Sequence, residues 1–144
     1  MPAVFYSRVV SNEPGRLWEL FRNFGQLAEW HPAIIDCEIE ESLSPFQIGC
    51  IRRFHLADGS LFRERLLAMD DTNMTLTYSI EESPLDLIDY QACMRVIPIT
   101  ETGESFVMWS STFSCPAESE SELIDLVRNG VYRAGFEAVQ NRSS

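Results

Sequence analysis

The sequence predicts an α+β fold: a seven-stranded antiparallel sheet wrapped around one long C-terminal helix, with an internal cavity between them. Three observations predict it. From Ile34 to Cys115 apolar residues recur with period two almost without a break, the pattern of strands with one buried face. The segments joining those strands are short, which favours antiparallel neighbours over the helical crossovers that parallel strands need. After Pro116 the period lengthens to that of a helix. A single helix covers a wide, curved sheet incompletely, and the space left over is the usual setting of a small-molecule pocket.

The elements follow in order. The first strand is about Ala3 to Val10. "SNEPGRLWELFRNFG" then carries a helix: Ser11 or Asn12 can cap it, Pro14 suits its first turn and Gly25 is placed to end it. Leu17, Leu20, Phe21 and Phe24 fall at the i, i+3, i+4, i+7 spacing of one buried stripe. A shorter helical turn fits "QLAEW", and Pro32 closes it, because the residue before proline avoids the helical region. The strands that follow are "IIDCEIEE", "GCIRRFHL", "SLFRERLLAM", "MTLTYSIEE", "IDYQACMRVIPI" and "SFVMWSSTFSC", separated by turns such as "ADGS", "DDTN" and "TETGE". Ser119 and Glu122 have the spacing of a capping box for the last helix, from about Ser121 to Gln140. Its apolar stripe runs through Leu123, Val127, Val131 and Ala134 or Gly135, thinned by Gly130, Ala134, Gly135 and Ala138.

Composition excludes several classes of function. The 144 residues, expected to form a single domain (1–144), carry a formal charge of −11, and every basic residue is an arginine. Such a chain repels phosphate backbones and anionic membrane surfaces, so neither nucleic acid nor a membrane is expected as a partner. No apolar run reaches the roughly 20 residues of a membrane span. No export signal is seen, so Cys37, Cys50, Cys93 and Cys115 are expected as four free thiols in a cytoplasmic protein. No G-x-S-x-G elbow, H-E-x-x-H or phosphate-binding glycine loop is present. His31 and His55 lack metal-ligand spacing, so neither a metal nor another cofactor is expected.

The order of elements, together with "EWHPAI", "DGSLFRERLLAMDD", the "SPLDLIDY" loop and "VMWSSTF", resembles the START/Bet v 1-like (SRPBCC) superfamily. The nearest branch is the polyketide cyclase/dehydrase-like one; the plant abscisic acid receptors are more distant relatives. The resemblance covers nearly the whole chain and implies the helix-grip fold, β-α-α-β6-α. It is less specific for function, since the superfamily includes lipid carriers, hormone receptors and cyclases.

The candidate site comes from two readings together. If Asp58-Gly59 is a two-residue turn, Ala57 pairs with Ser60, and Ile51, Arg53, His55, Phe62, Glu64 and Leu66 share one face of the hairpin. Arg53 then stands opposite Glu64 as a cross-strand ion pair. Pattern alone leaves open which face is inner. The resemblance implies an answer: in the abscisic acid receptors an "ERL…DD" motif puts its glutamate inside the cavity, and "ERLLAMDD" puts that role on Glu64. In the same receptors a lysine after an aromatic residue anchors the ligand carboxylate. The matching pair here is Trp30-His31, a departure that argues against abscisic acid itself. Alternation then turns Tyr78 and Ile80 inward, with Tyr90, Ala92 and Met94 on the next strand and Val127, Val131 and Gly135 on the helix. The "EESPLD" loop is expected to rim the mouth.

Each residue also has a plainer reading. His31 can simply satisfy a local carbonyl, Arg53 with Glu64 can be a pair of the sheet, and the tyrosines can be packing. The leading functional expectation is binding or transport of a small, largely hydrophobic molecule with a polar or acidic group near His31 and Arg53. A second is a cofactor-independent polyketide cyclase, dehydratase or isomerase using His31 or Glu64 as acid–base, since a carboxyl in an apolar cavity has a raised pKa. A third is a protein-interaction module with an incidental cavity. Oligomeric state is not legible.

Overall fold

A computed structural model describes residues 1–142. They form β1 (Ala3–Val10), α1 (Pro14–Arg22), α2 (Leu27–Trp30), β2 (Ile34–Ile39), β3 (Ile51–Leu56), β4 (Leu61–Asp70), β5 (Thr75–Glu82), β6 (Ile88–Pro98) and β7 (Ser105–Ser114), followed by α3, a continuous helix over 120–140. The strands make one antiparallel sheet in the order β1-β7-β6-β5-β4-β3-β2. The meander β2 to β7 runs through the sheet, β1 closes against β7, and α3 lies in the concave face. This is the helix-grip fold that the sequence predicts. No helix among the described residues is long and apolar enough to cross a membrane.

Local details differ from expectation for identifiable reasons. Glu13 caps α1, its carboxylate accepting from the backbone N–H groups of Gly15 and Arg16 at 3.0 and 2.9 Å. Asn12 cannot cap because it is buried and committed elsewhere: its side chain donates to the Val139 carbonyl at 3.2 Å, and its own carbonyl accepts from the Ser105 hydroxyl at 2.8 Å. The joint between β1 and α1 is thereby tied to the end of α3. The helix stops at Arg22, because Asn23 turns to extended backbone two residues before Gly25. Ser119 makes no cap bond; the chain enters α3 through a 3-10 turn, Ala117–Ser119, set up by Pro116.

The largest correction concerns the hairpin between β3 and β4. Its loop has three residues, not two. Leu56 N–H donates to the Ser60 carbonyl at 3.0 Å and Gly59 N–H to the Leu56 carbonyl at 2.9 Å. Gly59 adopts φ +89°, the left-handed position of a three-residue hairpin loop, and Asp58 braces it by accepting from Ser60 N–H at 2.9 Å. The pairing therefore slips by one: Arg52 faces Glu64, Arg53 faces Arg63, Phe54 faces Phe62 and His55 faces Leu61. Because side chains alternate with period two, that slip sends every residue of β3 to the opposite face from the one predicted.

The helix α3 also departs from regular geometry. It is α-helical at Glu120–Asp125, π-helical at Leu126–Arg133 and α-helical again at Ala134–Gln140. The wider turn rotates the following residues around the axis. Val131, predicted on the core stripe, is only half-buried, while Tyr132 is fully buried beside it.

Candidate functional site

Sheet and helix enclose a cavity of about 280 Å³, just below the roughly 300–1,000 Å³ typical of small-molecule sites. Four lining residues reach solvent and mark its mouth: Asp58 on the β3–β4 loop, Pro84 on the β5–β6 loop, and Leu126 and Gly130 on α3. The expected "EESPLD" rim is therefore at the opening. Of the residues predicted for the site, His31, Phe62, Glu64 and Tyr78 line the cavity, as do Ile80, Tyr90, Val127 and Val131.

Five do not. Arg53 is exposed on the outer face of β3, and His55 lies there too, its Nδ1 2.9 Å from Asp36 Oδ1. Both were misplaced by the hairpin slip. Ala92 and Met94 are buried in the sheet's inner face but do not line the cavity. Trp109 stacks on Tyr132 with ring centroids 4.5 Å apart and meets Phe136 at 5.5 Å, filling one half of the interior. Gly135 is the floor of this aromatic block: a Cβ there would stand 2.9 Å from His31 Cδ2 and 3.0 Å from Trp30 Cζ3. Its missing side chain lets the rings approach the helix, and it adds nothing to the cavity.

The residue in the place predicted for Arg53 is Arg52. It and Glu64 are 3% and 6% exposed, an ion pair taken almost wholly out of water. Arg52 Nε donates to Glu64 Oε1 at 2.8 Å, and Nη2 lies 2.7 Å from the same oxygen. The guanidinium is also held between aromatic faces, 4.0 Å from the Phe24 ring centroid and 4.8 Å from that of Tyr78, a favourable setting for a weakly hydrated planar cation. Burial pushes the Glu64 carboxyl up, and the adjacent guanidinium pulls it back. A pair of this kind costs desolvation energy and adds little net stability. In an otherwise apolar wall it points to a role beyond holding the fold.

Both contacts fall on Oε1. Among the described residues no hydrogen bond reaches Glu64 Oε2 or Arg52 Nη1. Neither atom is sealed in the core, since the only fully buried, unpartnered side-chain polar atoms there are Asn12 Oδ1 and Ser111 Oγ. Oε2 and Nη1 therefore open onto the cavity.

His31, by contrast, has spent its polar atoms. Nδ1 accepts from Ala33 N–H at 3.2 Å, so the proton sits on Nε2, which donates to the Val131 carbonyl at 2.8 Å. The ring is 3% exposed. Burial lowers its pKa, with the Arg52 charge adding to the effect, so it is a neutral imidazole that pins the α2–β2 joint to the π-helical part of α3. It shows an apolar edge to the cavity. The tyrosine hydroxyls also have partners. Trp109 Nε1 donates to the Tyr78 hydroxyl at 3.0 Å, and the Tyr90 and Tyr132 hydroxyls share a short hydrogen bond. Burial raises the pKa of all three tyrosines, so they stay protonated.

Sequence reasoning missed Arg52, Phe54, Trp109 and the mouth leucines Leu85, Leu87 and Leu126. For Arg52 and Phe54 the signal was available. Cys50, Arg52, Phe54 and Leu56 form the more apolar set of β3, and a three-residue loop ending in glycine would have placed it inside. Among the described residues no group of three or more His, Cys, Asp or Glu is placed to hold a metal.

Comparison with known proteins agrees with this architecture. The family described as "Polyketide cyclase / dehydrase and lipid transport" matches residues 1–143. The protein XoxI from Bacillus cereus is 31% identical over 97% of this chain and 94% of its own, with a TM-score of 0.86. A Thermobifida fusca protein is 25% identical over 99% of this chain and 93% of its own, with a TM-score of 0.88. Ginseng major latex-like protein 151 from Panax ginseng shares the fold at 19% identity, covering 98% of each chain with a TM-score of 0.75.

Proposed function

Because the chain belongs to the polyketide cyclase/dehydrase and lipid transport family, we propose that it binds or carries a small, largely hydrophobic molecule inside the sheet–helix cavity. The ligand's polar group meets Arg52 and Glu64, and its apolar body lies along Phe54, Phe62, Val127 and Val131. One observation carries this reading: the apolar cavity has a single buried charged pair on its wall, and that pair keeps unspent hydrogen-bonding atoms facing the void. A filled interior would have favoured an interaction module, and this interior is open. The four cysteines are free, which fits the cytoplasmic setting that we include in the proposal. Native mass spectrometry of the protein purified without detergent tests the reading. A bound small molecule displaced by excess naphthalene is expected; no bound molecule and no saturable naphthalene binding would contradict it.

A second reading rests on the same carboxylate. Glu64 Oε2 is open to the cavity and burial raises its pKa, which suits it to take a proton from an enolisable substrate whose carbonyl rests on Arg52. His31, with both nitrogens engaged, is not part of that chemistry. If the protein but not Glu64→Gln speeds deuterium exchange at the central carbon of 1-phenylbutane-1,3-dione, the enzymatic reading holds; equal rates with and without protein sink it.

A further inference from the structure

We propose that this cavity selects an uncharged ligand head carrying a hydrogen-bond donor beside an acceptor, such as a carboxamide or a hydroxy-ketone, over a carboxylate anion. The inference rests on the binding reading above and specifies it.

The buried polar groups of the wall are Arg52, Glu64, His31, Tyr78, Tyr90 and Trp109. His31 uses both nitrogens on backbone, Trp109 Nε1 is spent on Tyr78, and Tyr90 is bonded to Tyr132. The unspent atoms of the ion pair are Glu64 Oε2, which only accepts, and Arg52 Nη1, which only donates; the Tyr78 hydroxyl, which accepts from Trp109, keeps its own proton as one further neutral donor. Oε2 and Nη1 belong to one ion pair, held by Oε1 at 2.8 Å from Nε and 2.7 Å from Nη2, so the wall offers one acceptor and one donor of the same pair. A group that donates to Oε2 and accepts from Nη1 satisfies both.

An anion satisfies one and offends the other. Arg52 is already neutralised by Glu64, and a carboxylate laid against Nη1 would stand beside Oε2 in a medium where like charges repel strongly. Its desolvation would go uncompensated, because no second cation lines the cavity among the described residues. A purely apolar head would leave two charged atoms without partners. The formal charge of −11 adds to the bias against anions.

Four shape-matched probes test this on the full chain by isothermal titration or ligand-observed NMR: 2-naphthamide, 2-naphthoate, 2-methylnaphthalene and naphthalene. The amide is expected to bind at least about tenfold more tightly than the other three, the discrimination shown by sites built to hydrogen-bond a polar group. Glu64→Gln keeps the side chain's shape and removes the negative charge, so the preference should move from amide to naphthoate. In Arg52→Met/Glu64→Leu the naphthalene affinity should persist and the amide preference vanish. If 2-methylnaphthalene binds but the amide is no better, or if naphthoate binds best to the natural protein, the inference fails while the binding reading stands. A preference unmoved by Glu64→Gln also overturns it. If none of the probes binds, both fall together.

Discussion

The interior has two halves built from the same sheet and the same helix, one filled and one hollow. Over β6 and β7, Trp109, Tyr132 and Phe136 stack into a block that also takes in Phe21 and Trp30. Over β3, β4 and β5, Phe54, Phe62, Val127 and Val131 line open space around one ion pair. Topology is common to both, so it does not decide where a cavity forms. Side-chain volume does, together with where α3 carries glycine. Gly135 sits under the aromatic block and admits the rings, whereas Gly130 opens at the mouth and would meet only the tip of Leu126. The filled half holds the fold; the hollow half keeps a polar contact that the fold does not need.

The largest effects should separate the halves by stability. Phe136→Ala empties a site that is 0% exposed and should cost about 3–5 kcal/mol in denaturant unfolding. Phe62→Ala removes a ring that already faces a void, and should cost nearer the roughly 1.5–3 kcal/mol of lost burial alone. Equal losses would erase the distinction between filled and hollow. Glu64→Ala is the exception within the hollow half: leaving Arg52 buried without its partner should cost about 3–5 kcal/mol. Arg52→Met/Glu64→Leu should recover most of that, showing that the pair is not there for stability; a double variant as unstable as the single one would refute this.

His31 gives a smaller, pH-dependent effect. Its folded pKa lies below the ordinary 6.5 because burial penalises the charged ring, and protonation would set Nδ1–H against the Ala33 N–H. The unfolded chain therefore binds the proton first. Stability attributable to His31 is full above about pH 6.5 and is lost as pH falls toward the lowered folded value. His31→Ala should lower stability by about 1–3 kcal/mol at pH 7.5, and the gap from the natural protein should narrow on acidification; a gap that widens would mean that the ring is charged in the fold.

The two glycines set the finest contrast. Gly135→Ala pushes a methyl against the rings of His31, Trp30 and Trp109, which cannot withdraw, and should destabilise by about 1–3 kcal/mol. Gly130→Ala meets a flexible leucine end and should be neutral or stabilising by up to about 1 kcal/mol through helix propensity. Thermal melts of the two variants moving in the same direction would break the comparison.

Much of this was legible in the sequence and some was not. Strand order, helix count and the identity of Glu64 as an interior carboxylate follow from period, turn spacing and the "ERLLAMDD" resemblance. The partner of Glu64 was misread because Asp58-Gly59 scores as a two-residue turn, while the left-handed Gly59 ends a loop of three; one residue decided between Arg52 and Arg53. The π-helical segment has no period of its own to announce it, so Tyr132 was missed and Gly135 was assigned to the cavity. His31 lines the cavity, but its bonds to Ala33 and Val131 lie in tertiary structure that spacing cannot report.

Under the proposed function, small apolar molecules enter the hollow half and nowhere else. Methyl NMR of the leucine- and valine-labelled protein, titrated with naphthalene, tests it most directly. Saturable shifts are expected at Leu56, Leu85, Leu87, Val127 and Val131, with Val4, Val107 and Val139 of the filled half unmoved. Shifts centred on the filled half or on exposed Val9 of the outer face, or no saturable shift at any methyl, would contradict it.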